Sequence, residues 1–215
     1  MVILYFLGGE NVSKRDALET NSSAFEDAGG SPRVLIFGWA KPSFHRSFER
    51  RRRLTIYLRS LGASEVSYAD YSDPLPKIEG AVSCSDLLYF TGGQVSTLLN
   101  RLKRKGVDRL LRSYDKVILG RSAGALVLGK KCFVASRYSG TRRIVPGLGL
   151  VDFSVKVHYL ASQEARVREA SMNGRVYAIP QKAALVFKDG VLSAIGRVQI
   201  FENGEEFAFS RTNEL

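Results

Sequence analysis

Short apolar runs alternating with helical stretches organise this chain. Val2-Ile3-Leu4-Tyr5-Phe6-Leu7 is unbroken by a polar residue and ends in Gly8-Gly9-Glu10. A run of that length, apolar on both faces, predicts a strand covered on both sides, as in a parallel sheet. Residues 33–38, 65–69, 86–90 and 117–119 read as four more strands, the first and third apolar after one charged residue. Helices are predicted between them: 13–28, then a stretch capped by Ser43 with Phe44, Phe48, Leu54, Leu58 and Leu61 on one side and Gly62 at its end, then 95–105 and 107–113. Residues 70–77, with Pro74 and Pro76, read as a loop, and 78–85 as a short connecting segment. Alternation of this kind predicts an α/β fold of three layers, a mainly parallel central sheet flanked by helices.

The pattern changes after residue 130. Residues 132–145 alternate only loosely, and Pro146-Gly147-Leu148-Gly149-Leu150-Val151 is a glycine-rich apolar turn. Residues 154–157 form a strand ending at His158-Tyr159, and 163–172 a helix. Four short strands follow at 175–179, 183–187, 191–195 and 198–201. Asp189-Gly190 and Asn203-Gly204 are hairpin turns, so C-terminal antiparallel hairpins are added to the sheet. No repeat or low-complexity linker divides residues 1–215, which read as a single α/β domain.

Composition narrows the function classes. The 32 Lys and Arg against 21 Asp and Glu leave a net charge of +11, in groups around residues 41–59, 101–112 and 130–143. Such a field attracts acidic substrates. No zinc-finger spacing or aromatic RNA-binding motif accompanies it, so specific nucleic-acid binding is not expected. Cys84 and Cys132 lack metal-ligand spacing and the chain has two histidines, so neither a metal nor a cofactor is expected. No apolar run is long enough to span a membrane, and 2–7 is too short for a signal-peptide core, which places the protein in the cytoplasm with no membrane partner.

The candidate chemistry lies at Gly120-Arg121-Ser122-Ala123-Gly124, between an apolar strand and a small-residue helix at 123–128. This is the Gly-x-Ser-x-Gly spacing of a nucleophile elbow, with a serine at the apex and free N–H groups at the helix start. A tight strand-to-helix turn or a phosphate cradle fits the same residues. Gly8-Gly9, Gly92-Gly93 and the Ser122 turn all follow strands, and strand carboxyl ends share one crevice in such sheets.

Leu7-Gly8-Gly9, Phe37-Gly38-Trp39-Ala40, Phe90-Thr91-Gly92-Gly93-Gln94, Gly120-Arg121-Ser122-Ala123-Gly124-Ala125, Gly147-Leu148-Gly149-Leu150 and His158-Tyr159 occur in the order found in one family. The chain resembles the dipeptidase E and cyanophycinase serine peptidases, which share a fold with class I glutamine amidotransferases. That resemblance implies Ser122 as nucleophile, His158 as general base, and the N–H groups of Ala123 and Gly93 as the oxyanion hole. It implies a preference for short aspartyl peptides. Gly92, Gln94, Arg121 and Arg137 are candidate substrate contacts, since Arg121, Arg137, Arg142 and Arg143 lie near the proposed crevice in sequence and a guanidinium there can hold an acidic group by two hydrogen bonds. The family places an acid between the serine and the histidine. Here no residue between Ser122 and Val151 is acidic, and Arg137 and Tyr138 stand in that region. Asp152 and Glu10 are the candidates for the third member. The expectation is a serine peptidase acting on short acidic peptides. The alternative is an impaired relative that binds a peptide or anionic ligand without cleaving it. The oligomeric state is left open.

Overall fold

Five of the apolar runs lie side by side as parallel strands. The computed structural model describes residues 2–41, 47–135, 142–209 and 212–213. In chain order its elements are β1 (Ile3–Leu7), α1 (Leu18–Asp27), β2 (Arg33–Phe37), α2 (Phe48–Ser60), β3 (Glu65–Ala69), α3 (Leu75–Cys84), β4 (Leu87–Phe90), α4 (Val95–Lys105), α5 (Val107–Ser113), β5 (Val117–Arg121) and α6 (Ala123–Leu128). Then come β6 (Lys131–Ala135), β7 (Arg142–Pro146), β8 (Ser154–Val157), α7 (Glu164–Ser171), β9 (Val176–Ile179), β10 (Ala184–Lys188), β11 (Val191–Ile195), β12 (Gln199–Glu202), β13 (Glu205–Ala208) and β14 (Thr212–Asn213).

The main sheet has the order β14-β11-β10-β1-β5-β4-β2-β3. From β1 to β3 every pairing is parallel, with Leu7 opposite Arg121 and Phe90 opposite Gly120. The carboxyl ends of β1, β4 and β5 therefore meet at one edge of the sheet. Side chains alternate between its faces. Leu4, Phe6, Leu35, Leu88, Phe90 and Ile118 pack with α3, α4, α5 and α6. Tyr5, Leu7, Val34, Leu87, Tyr89 and Leu119 pack with α1 and α2 on the other face. Two covered faces explain why β1 and β4 are apolar throughout and why β2 and β5 are polar only at one end.

The C-terminal strands divide between two sheets. β10 and β11 extend the main sheet antiparallel to β1. A second sheet, in the order β13-β12-β9-β8, pairs β8 and β9 in parallel. Both expected hairpin turns form with φ > 0 at both positions, 53° and 76° at Asp189-Gly190, 52° and 81° at Asn203-Gly204.

Four details depart from the sequence reading. Residues 75–84, read as loop and connector, form α3, because prolines at 74 and 76 fall at the helix start, where no N–H partner is lost. Helix α2 begins at Phe48 after Ser47; Phe48 is 75% exposed rather than inward, and Ser43 and Phe44 lie outside the described residues. The helix expected over 13–28 starts at Leu18, since Arg15 is left-handed (φ 52°) and closes a separate 3₁₀ turn. The loosely alternating stretch contains the antiparallel pair β6 and β7. No helix among the described residues is long and apolar enough to cross a membrane.

Candidate active site

Ser122 sits between β5 and α6 with φ 53° and ψ −109°, a backbone conformation that side-chain-bearing residues rarely adopt. The glycines around it are required by contact. A Cβ on Gly120 would lie 2.6 Å from the Ala125 nitrogen, and one on Gly124 2.4 Å from the Phe90 oxygen. The Ser122 N–H donates to Leu7 O at 2.9 Å, tying the bend to the end of β1. Helix α6 is only six residues long and wholly buried, so its last carbonyls need partners. The Gly-Leu-Gly-Leu turn supplies them: Leu148, Leu150 and Gly149 N–H groups donate to the carbonyls of Val127, Leu128 and Gly129 at 2.8, 3.0 and 3.1 Å. Gly147 has no room for a side chain, since its Cβ would stand 2.1 Å from Gly129 O.

That turn leads into β8, which ends at His158 (φ 51°). His158 Nε2 lies 2.7 Å from Ser122 Oγ, and Nδ1 lies 2.7 Å from Gln181 Oε1. An amide oxygen accepts only, so Nδ1 carries the proton and Nε2 is bare toward the serine hydroxyl. Ser122 is half-buried, whereas His158 and Gln181 are exposed, so the pair opens to solvent. Gly9 lies against them. Its φ is 154°, and a Cβ there would come within 2.4 Å of both His158 Cε1 and Gln181 Oε1.

The Gly92-Gly93 segment forms the opposite wall. A Cβ on Gly92 would stand 3.1 Å from Ser122 Cβ and 3.5 Å from its Oγ. Gly93, with φ 154°, packs on Ala40, whose oxygen would lie 2.5 Å from an added Cβ. The Ala40 carbonyl also accepts the Gln94 N–H at 2.8 Å. Trp39 donates through Nε1 to Ala69 O at 2.8 Å, and its own carbonyl accepts from Arg101 Nη1 at 2.9 Å. The 39–40 segment thus fixes the glycine loop beside the serine.

The site thus joins a serine on a strained strand-to-helix bend to an imidazole at hydrogen-bond distance. The description of peptidase family S51 matches residues 4–195. The chain belongs to that family. It is 32% identical over 110 residues to an uncharacterized peptidase of Listeria monocytogenes serovar 1/2a, covering 47% of this chain and 54% of that protein. An uncharacterized peptidase of Listeria innocua serovar 6a is 29% identical over 110 residues, covering 47% and 53%. The chain spans about half the length of the curated relatives it matches. Among solved structures, a peptidase from an acI-B1 actinobacterium superposes with TM-score 0.67 at 21% identity, covering 97% of both chains. A protein of Listeria monocytogenes EGD-e assigned to peptidase E gives TM-score 0.69 at 21% identity, over 91% of this chain and 98% of that one. These likenesses establish the fold.

Within this S51 fold, several residues singled out from the sequence fall elsewhere than expected. Glu10 does not reach His158. Its side chain is fully buried and accepts from Tyr89 OH at 2.5 Å, Asn21 Nδ2 at 3.0 Å and Arg121 Nη1 at 3.2 Å. Burial pushes the Tyr89 hydroxyl well above the usual phenol range, with Arg121 pulling the other way. Asp152 is exposed and lines a small recess with Lys130, Asn173 and Arg175. Both nitrogens of His158 already have other partners, so neither carboxylate fills the third position. The Arg121 side chain, expected to contact substrate, is 16% exposed and paired with Glu10. Arg137 lies outside the described residues. Gln94 heads α4 and accepts from Thr97 Oγ1 at 2.8 Å.

Gln181 was not singled out in the sequence, since a glutamine in a Pro-Gln-Lys turn carries no catalytic signature. One signal did exist. β8 and β9 run parallel with Val157 opposite Ile179, so the residues after both strands emerge together. Gln181 is the first polar side chain beyond β9. Among the described residues no group of three or more His, Cys, Asp and Glu is arranged to hold a metal ion.

Proposed function

We propose that this chain is a serine peptidase that hydrolyses short peptides, with Ser122 as nucleophile and His158 as general base. The observation that carries the reading is the 2.7 Å contact between Ser122 Oγ and His158 Nε2. The serine oxygen attacks the scissile carbonyl while its proton passes to Nε2. The N–H groups of Ala123 and Gly93 receive the developing oxyanion; one such donor is worth about 3 kcal/mol in the transition state. Collapse returns the proton from Nε2 to the leaving amine. Water, deprotonated by the same nitrogen, then releases the acyl group and restores the serine.

A preference for acidic peptides is supported by the net charge of +11 and by the S51 membership. A cytoplasmic setting fits Cys84 and Cys132, which are both free thiols. The second reading, a binder that does not cleave, is favoured by one observation, the amide of Gln181 where an acid is the common partner of the histidine. A dipeptide panel separates the two. Asp-Xaa is cleaved faster than Leu-Xaa or Lys-Xaa, and Ser122→Ala abolishes the reaction. A chain that cleaves none of them yet gains thermal stability from acidic peptides is the binder.

A further inference from the structure

Gln181 Oε1 lies 2.7 Å from Nδ1 of His158, and the backbone that carries it is tied down. The Lys182 N–H donates to Gly9 O at 2.8 Å and the Gly8 N–H donates to Ala183 O at 2.9 Å, so residues 181–183 are laced to the end of β1. Gly8 meets Pro180 so closely that a Cβ would stand 1.9 Å from its oxygen. Lys182 takes φ 70°, an unfavourable conformation for a lysine, to turn the chain at this point. The contact is therefore built by two strand ends rather than by a free surface side chain.

The charged groups on the surrounding elements are engaged elsewhere. Glu10, beside Gly9, is held by Arg121, Tyr89 and Asn21. Lys156 on β8 donates to Val157 O, and Lys182 Nζ stands 3.9 Å from Asp16. Tyr159 is buried beside Phe201 and Val167, and Ser122 itself is neutral. No carboxylate among the described residues hydrogen-bonds the imidazole of His158.

We propose that Gln181 is the positioning residue of this site: its amide oxygen holds the Nδ1 proton of His158 and so keeps Nε2 bare toward Ser122, without supplying a negative charge. The inference rests on the serine-peptidase reading and deepens it. An amide fixes the tautomer as well as a carboxylate does, but it does not favour the imidazolium that forms during attack. The site is thereby oriented without the counter-charge that an acid would supply. Replacing the amide by a carboxylate of the same shape restores the missing charge, and an opposite charge at this range raises a histidine's proton affinity by roughly one unit or more.

The test uses Gln181→Ala and Gln181→Glu. Gln181→Ala lowers kcat on the order of 10²-fold with KM nearly unchanged, the size expected from a misplaced base. Gln181→Glu raises kcat and moves the acid limb of the rate profile upward by about one pH unit. Ring-nitrogen NMR reads the orientation without turnover, since the chain has only His45 and His158 and His45→Gln leaves one signal set. In Gln181→Ala the Nδ1–H tautomer loses its dominance. Unchanged kcat, pH profile and ring signals in Gln181→Ala overturn the inference while wild-type turnover leaves the peptidase reading standing. A wild type inert toward peptides and toward a fluorophosphonate removes that reading, and the ring signals alone then decide the role of Gln181.

Discussion

Glu10 and Arg121 close an ion pair of 3.2 Å one residue before Ser122, joining the loop that leaves β1 to the last residue of β5. Leu7 and Arg121 are opposite each other in the sheet, so the pair fastens two strand ends that both carry parts of the site. Removing one partner strands a buried charge. Glu10→Ala or Arg121→Ala loses about 3–5 kcal/mol, and joint replacement by apolar residues loses less than either single change. Urea unfolding of the three variants measures this.

Gly9→Ala injures both activity and stability. The added methyl is aimed at His158 Cε1 and Gln181 Oε1, both 2.4 Å away, and the φ of 154° at Gly9 is one that a residue with a side chain rarely adopts. Displacing the imidazole lowers kcat/KM on the order of 10²-fold, and the strained backbone lowers Tm as well. Peptide turnover and thermal melts on the same preparation separate the two effects.

The fold was readable where burial on both faces left unmistakable apolar runs, as in β1, β2, β4 and β5. It was unreadable where the outcome depends on partners distant in sequence. Val176 and Gln199 belong to a second sheet, a matter of pairing that alternation does not encode. The prolines around α3 suppressed a helix that they in fact start. In the site, Ser122 was legible from the Gly-x-Ser-x-Gly spacing, whereas His158 was reached through the family resemblance. Arg121 was read as facing substrate, yet its place on a strand sends it to the helix face with Tyr89 and Tyr57. Gln181 reaches the site only through the parallel pairing of β8 and β9.

Acid destabilises the chain through Asp86. Hydrogen bonds from Arg33, and from Lys116 at 3.1 Å, hold its carboxyl well below the usual carboxylate range against the opposing effect of burial. A carboxyl whose folded value is depressed adds stability above its unfolded value, near pH 4, and loses it as pH falls toward the folded value. Asp86→Asn is therefore less stable than wild type at neutral pH, and the gap narrows below about pH 4. Partial exposure of Arg33 (48%) and Asp86 (27%) keeps the gap small and salt-sensitive. Urea midpoints across pH measure it.

The two thiols differ in reactivity. Cys84 is exposed, whereas burial pushes the Cys132 thiol up to about 12, so it stays protonated at any ordinary pH. A thiol reagent at mild alkaline pH titrates one cysteine per folded chain, lost in Cys84→Ser, and the second only after denaturation.

The central claim is that His158 activates Ser122, and the rate of covalent labelling by a fluorophosphonate reads it most directly. Intact mass of the wild type gains one adduct, located at Ser122 and absent in Ser122→Ala, while His158→Gln labels on the order of 10²-fold more slowly or worse. Labelling of His158→Gln at the wild-type rate, or an adduct on any other residue, contradicts the account.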